Sequence, residues 1–104
     1  MAQFDVYENP NSESKEIYPF LLNVQADLLG VLDTTVVVPL CRLETLKKPA
    51  RHLNPVFTVQ DEKFCMLTQQ ISGISNKNLG QKVTSLSSSR SEILAALDFL
   101  ITAV

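Results

Sequence analysis

The feature that most constrains this chain is a change of period near its end. From Ser89 onward, apolar residues fall at Ile93, Leu97, Leu100 and Val104. That spacing draws one stripe along an α-helix. Upstream, apolar residues alternate with polar ones or form short β-branched blocks between turn residues, which is strand patterning. With 104 residues, the chain has room for one domain, so residues 1–104 read as a single unit. Strands that must hide one face and a helix that must hide one stripe bury each other. The expected fold is therefore mainly β: a small SH3-like barrel of antiparallel strands closed by one C-terminal α-helix.

The strands can be placed. Residues 3–7 alternate, with Phe4 and Val6 apolar, and predict a half-buried strand. Residues 8–15 are rich in Asn, Pro and Ser and predict a turn or flexible hairpin loop. Residues 18–24 return as a strand, and Gly30 and Asp33 punctuate the next turn. Residues 34–40 give the strongest strand signal, because the consecutive Val36, Val37 and Val38 suit a strand buried on both faces. Pro39 cannot donate to a ladder, which predicts a bulge or the strand end there. Residues 42–48 suggest a short helical turn. Residues 56–59 and 64–68 flank a turn at 60–63 and read as a hairpin. Residues 71–75 and 81–86 are weaker strands. Ser89 followed by Glu92 fits a capping box at the start of the helix.

Charge excludes one class of partner. Eleven acids against nine bases give a net charge of −2, and the bases are scattered rather than gathered on one face. A nucleic-acid binder of this size is ordinarily basic, so no direct nucleic-acid contact is expected. Cys41 and Cys65 belong to no Cys-x-x-Cys or Cys/His cluster. They read as small hydrophobes in a reducing compartment, with a disulfide as the lesser reading. The N-terminus lacks the basic and apolar regions of a signal peptide, and no apolar run approaches the ~20 residues of a membrane helix. A cytoplasmic protein without membrane contact is the expectation.

The chemistry of catalysis is not assembled in the sequence. His52 is the sole histidine and sits in a loop between prolines, the three glycines are single and dispersed, and residues 85–91 hold serines without a Gly-x-Ser-x-Gly elbow. Asp61 and Glu62 fall in a predicted turn. No metal-ligand spacing is present. A non-enzyme without cofactor or metal is expected.

The helix instead carries more apolar surface than one small sheet needs. At 100° per residue, Ile93, Leu97, Leu100 and Val104 form the stripe, Leu94 and Ile101 lie on one flank, and Ala96, Phe99 and Ala103 lie on the other. Ser91, Asp98 and Thr102, with Ala95 among them, leave only a narrow polar wedge. The apolar arc is about twice the usual ~100°. Either the sheet wraps the helix, or one flank meets a second protein or a second copy of the chain. Leu28 and Leu29, beside a turn, form another apolar pair; core and contact both remain open for them.

Several blocks together resemble the CcdB family of toxins. They are Gln3-Phe4-Asp5-Val6-Tyr7, the run from Tyr18 to Leu29, Val36-Val37-Val38-Pro39-Leu40, Met66-Leu67-Thr68-Gln69-Gln70, and the helix from Arg90 to Ile101. They come in the family's order over nearly the whole chain. The resemblance implies an SH3-like barrel, a homodimer, and a toxin of a plasmid or chromosomal toxin–antitoxin pair. Such a toxin binds the DNA gyrase A subunit and traps gyrase on cleaved DNA, and a cognate CcdA-like antitoxin neutralises it.

Carried over residue by residue, the resemblance implies gyrase contacts at Leu28, Leu29, Asp98, Ile101, Thr102, Ala103 and Val104. For the antitoxin it points to the loop carrying Glu8, Asn9, Asn11, Ser12 and Lys15. The family's plasmid-borne type member ends in Trp-Gly-Ile, where this chain has Thr102, Ala103 and Val104. Losing that aromatic removes a contact of the kind that carries about 2 kcal/mol or more at hot spots. Two alternatives follow. One is a degenerate, non-toxic homologue that still dimerises and binds antitoxin. The other is a ribonuclease toxin of Kid/MazF type, for which Arg42, Arg51, His52 and Asp61 are the loose candidates.

Overall fold

The computed structural model describes residues 2–46 and 48–103. It is a curled antiparallel sheet with one C-terminal helix. The strands are β1 (Asp5–Glu8), β2 (Phe20–Asn23), β3 (Thr34–Arg42), β4 (Val56–Val59), β5 (Glu62–Met66), β6 (Ser72–Ser75) and β7 (Lys82–Ser85), followed by α1 (Arg90–Thr102). Their order in the sheet is β4-β5-β3-β2-β1-β7, with β6 also beside β3.

β3 is the spine. One edge pairs with β2, and the other pairs first with β6 and then with β5. Its three valines answer to this central place: Val37 and Val38 are buried and Val36 is half-buried. Pro39 neither ends nor bulges the strand, which runs on to Arg42. The reason is register. β6 stops pairing at Val37 and β5 starts at Leu40, so Pro39 faces the gap between them. Its carbonyl accepts from the Leu67 N–H at 3.0 Å, while on the β2 side it stands opposite Leu21 in a pair without hydrogen bonds. The missing N–H costs no ladder bond there.

β1 begins at Asp5 rather than Gln3 because Phe4 takes a φ of 72°, turning the chain before the ladder starts. The β4–β5 hairpin is tighter than the sequence suggests. Gln60 and Asp61 have φ of 51° and 65°, the positive pair of a two-residue type I′ turn. The capping box does not form: the Ser89 side chain makes no cap hydrogen bond. A 3-10 turn at Ser87–Ser89 leads into the helix instead, and the Ser85 hydroxyl accepts from the Ser87 N–H at 3.2 Å.

The core lies inside the curl. Phe4, Val6, Leu22, Val38, Leu40, Phe57, Phe64 and Met66 fill it, and Ile93 and Ala96 of α1 seal it. Phe20 meets Phe64 edge-on, ring centroids 5.1 Å apart. Sealing by Ala96 shifts the helix from the expected stripe. Leu97 is only half-buried and Leu100 is exposed, while Ile93 and the small Ala96 take the buried positions of α1.

Cys41 and Cys65 stand directly opposite each other on β3 and β5, buried and unbonded, in a second cluster with Leu67, Tyr18, Leu43 and Leu46. Neighbouring bonds from Leu43 N–H to the Lys63 carbonyl and from Leu67 N–H to the Pro39 carbonyl make theirs a hydrogen-bonded pair. The Cβ atoms of such pairs lie near the wide end of ~4.5–5.5 Å, beyond the ~3.8 Å typical of a disulfide. Burial pushes both thiols above their ordinary pKa. The two act as packing groups.

Candidate functional site

The outer face of α1 carries the unusual surface. Ala95, Asp98, Phe99 and Thr102, with Glu92 and Ala103, form one wall of a groove of about 580 Å³, and His52 and Pro55 form the other. A turn at residues 51–54 builds that second wall. The N–H groups of Leu53 and Asn54 donate to the Ala50 carbonyl, and His52 adopts a φ of 69°. The His52 ring then lies 5.8 Å from the Phe99 ring, tilted by 47°.

Asn54 fixes this wall to the sheet. Its buried side chain donates to the Met66 carbonyl at 3.0 Å and to Gln69 Oε1 at 2.8 Å, and accepts from the Ala50 N–H at 2.8 Å. The Thr68 hydroxyl adds a bond to the Leu53 carbonyl at 2.6 Å. Among the described residues, every buried side-chain polar atom finds a partner, as folded interiors require.

The expected helix contacts all face outward. Ile101 is 77% exposed, and Asp98, Thr102 and Ala103 are exposed as well; beside them Phe99, which was not expected there, is 41% exposed. The Thr102 hydroxyl donates back to the Asp98 carbonyl at 2.7 Å. Ala103 leaves the helix at φ −63°, ψ 138°, extended backbone that alanine adopts without strain. Glycine is therefore unnecessary there for the backbone as seen. Val104 lies outside the described residues.

Leu28 and Leu29 lie on a 3-10 turn at Asp27–Leu29 and are exposed, Leu28 to 92%. The reading of this pair as core is thereby removed. They do not join the helix patch within one chain. Asp27 accepts from the Gln3 N–H at 2.7 Å, and Gln3 accepts from Arg90 at 3.1 Å, which ties the turn to the N-terminal end of α1. Ile101 lies ~16 Å further along the helix axis at 1.5 Å per residue.

The loop suspected of antitoxin contact is a turn braced by its own hydrogen bonds. Asn9 is buried, donating to Ser14 Oγ at 3.0 Å and the Tyr18 carbonyl at 2.9 Å and accepting from the Asn11 N–H at 3.1 Å. It is the scaffold of the turn, not part of its surface, and Glu8 is the last residue of β1. Asn11, Ser12 and Lys15 are exposed. Asn9, Asn11 and Ser14 also border a second groove of about 550 Å³, with Tyr18, Leu21 and Pro39.

The loose catalytic candidates are not brought to one place: Arg51 and His52 share the turn at residues 51–54, away from the other two. Arg42 is paired with Glu62 at 3.2 Å, Asp61 occupies the turn tip, and Arg42 and His52 border different depressions. No group of three or more His, Cys, Asp or Glu could hold a metal among the described residues. Among them, too, no helix is long and apolar enough to cross a membrane.

Sequence reasoning missed Phe99 as a surface residue, the His52–Pro55 wall, and Val31, which is 89% exposed. The over-wide apolar arc was the available signal for Phe99. Nothing in the sequence pairs residue 52 with residue 99.

The family model described as "CcdB protein" matches residues 3–103. Among solved structures, a mycobacterial endoribonuclease in complex with its cognate antitoxin superposes with a TM-score of 0.76. It is 14% identical, and the match covers 100% of this chain and 97% of that one. At that identity the likeness is one of fold.

Proposed function

We propose that this chain, which belongs to the CcdB family, is a toxin that binds the DNA gyrase A subunit and holds gyrase on cleaved DNA. The observation that carries the reading is the apolar edge at the end of α1. Ile101 lies open and Phe99 partly so beside the polar Asp98 and Thr102, with the His52 ring standing against Phe99 from across the groove. A patch of open apolar groups rimmed by polar ones is what a protein contact needs. A second patch at Leu28 and Leu29 lies toward the other end of the helix. In a two-fold homodimer, one copy's leucines can be brought beside the partner's helix end, so the reading includes a dimer. A cognate antitoxin of CcdA type would neutralise the protein, and the surface of the 8–15 loop is the proposed contact.

The reading involves no bond-making chemistry and no cofactor. It predicts that purified protein, added to gyrase, supercoiled DNA and ATP, accumulates linear DNA once gyrase is denatured and digested. A dose-independent absence of linear product at micromolar protein would overturn it.

The tail supports a second reading. Thr102 offers far less contact area than an aromatic ring, and its hydroxyl is already bonded within the helix. A non-toxic homologue that dimerises and captures antitoxin would give no linear DNA and still bind antitoxin. A ribonuclease has less support, because Arg42, His52 and Asp61 stand apart. Cleavage of single-stranded RNA that is lost in His52→Ala would revive it.

A further inference from the structure

Residues 26–33 carry four large apolar side chains, Leu28, Leu29, Val31 and Leu32, all exposed. Loops this apolar ordinarily fold inward or move. This one is held outward by amide side chains on two sides. Gln25 spans its neck: Nε2 donates to the Leu29 carbonyl at 3.1 Å and to the Thr34 carbonyl at 3.2 Å, and Oε1 accepts from the Val36 N–H at 3.1 Å. One side chain thus ties the middle of the loop to the strand that follows it.

Asn76, just beyond β6, works from the far side. Its Nδ2 donates to the Leu32 carbonyl at 3.0 Å, its Oδ1 accepts from the Thr35 hydroxyl, and its own N–H donates to the Asp33 carbonyl at 2.9 Å. Inside the loop, Leu29 N–H bonds the Ala26 carbonyl at 3.0 Å, Gly30 N–H the Asp27 carbonyl at 3.0 Å, and Leu32 N–H the Leu29 carbonyl at 3.1 Å. Three N–H groups and five carbonyls of the loop are thus bonded within the chain, and the apolar side chains are left outside.

We infer that Gln25 and Asn76 are positioning residues. They lock residues 26–33 into an apolar knuckle that presents Leu28 and Val31 to the partner protein, and Val31 is a contact residue in its own right. The identity of the partner, the gyrase A subunit, rests on the function proposed above. The physical gain is pre-organisation: ordering exposed side chains on binding costs free energy, and a loop already clamped has less left to lose. Neither amide needs to touch the partner, so both act through the loop.

The experiment has two arms, run with the full chain. In the free protein, amide hydrogen exchange is compared among wild type, Gln25→Ala and Gln25→Glu; the last keeps the acceptor for Val36 and loses both donors. The Gly30 and Leu32 amides should exchange at least about tenfold faster in both variants, while those of Val38 and Phe64 in the core stay unchanged. Unchanged loop exchange overturns the clamp.

In the second arm, binding to the gyrase A dimerisation fragment is titrated. Gln25→Ala should weaken it about tenfold, and should weaken it no further in a Leu28→Ser/Val31→Ser background. Equal loss in both backgrounds makes Gln25 a general stabiliser and overturns the inference. So does dissociation of a Leu28→Ser/Val31→Ser dimer by light scattering, which would assign the knuckle to a second copy. Failure of wild type to bind the fragment overturns the gyrase reading and, with it, the partner assigned to the knuckle. The exchange arm then still decides the clamp.

Discussion

Asn54→Ala lowers the unfolding free energy by about 3 kcal/mol, the sum expected when a buried amide leaves its partners unsatisfied. The side chain joins Ala50, Met66 and Gln69 in a single node, and the truncated residue cannot replace those bonds. The Met66 carbonyl sits in the buried end of β5, where water does not substitute readily. For a domain of this size, that loss shifts the melting temperature by roughly 12–20 °C. Thermal unfolding at fixed protein concentration checks it, since the stability of the proposed dimer would depend on concentration. Asn54→Asp should fare little better, because it keeps the acceptor but loses both donors. His52→Gly, two residues away, should be neutral or slightly stabilising, because it relieves the positive φ of a non-glycine residue. A shift below about 4 °C for Asn54→Ala would mean that the His52–Pro55 wall is held by something else.

Leu28→Asp combined with Ile101→Asp weakens binding to the gyrase A dimerisation fragment by about 1000-fold. Burying either apolar side chain at an interface contributes about 1.5–3 kcal/mol. Each substitution removes that contribution and adds a carboxylate that must shed water against an apolar partner. Losses near 2 kcal/mol per site give three orders of magnitude in affinity. Fold stability should move by less than about 0.5 kcal/mol, because both side chains are already open to solvent. Titration calorimetry beside thermal unfolding separates the two quantities. Unchanged affinity in a stably folded double variant would remove both patches from the gyrase-facing surface.

Much of this molecule was legible in the sequence because its signals are local. The shift from period 2 to period 3.6 marks the helix, the three valines mark the central strand, and the wide apolar arc marks a helix with an open flank. What could not be read depends on tertiary register. Pro39 looks like a strand end until β5 and β6 are seen to leave a gap opposite it. Ser89 and Glu92 have the spacing of a capping box, yet a 3-10 turn reaches the helix first. Ala96, not Leu97 or Leu100, joins Ile93 in the core, because the way the helix is turned on the sheet is set by tertiary packing and not by the apolar period alone. Asn9 reads as a surface loop residue, and three hydrogen bonds make it internal. Leu28 and Leu29 were compatible with core or contact on pattern alone, and only their exposure decides between the two. The groove between His52 and Phe99 joins residues 47 positions apart, and no periodicity reaches that far.

The most direct test of the central claim is growth. The chain is expressed without antitoxin in two hosts that differ only in a gyrase A substitution blocking toxin access to the dimerisation region. Loss of viability with ordinary gyrase and survival with the altered one is the predicted result. Death in both hosts, or normal growth in both at equal protein level, would contradict a toxin that acts through gyrase.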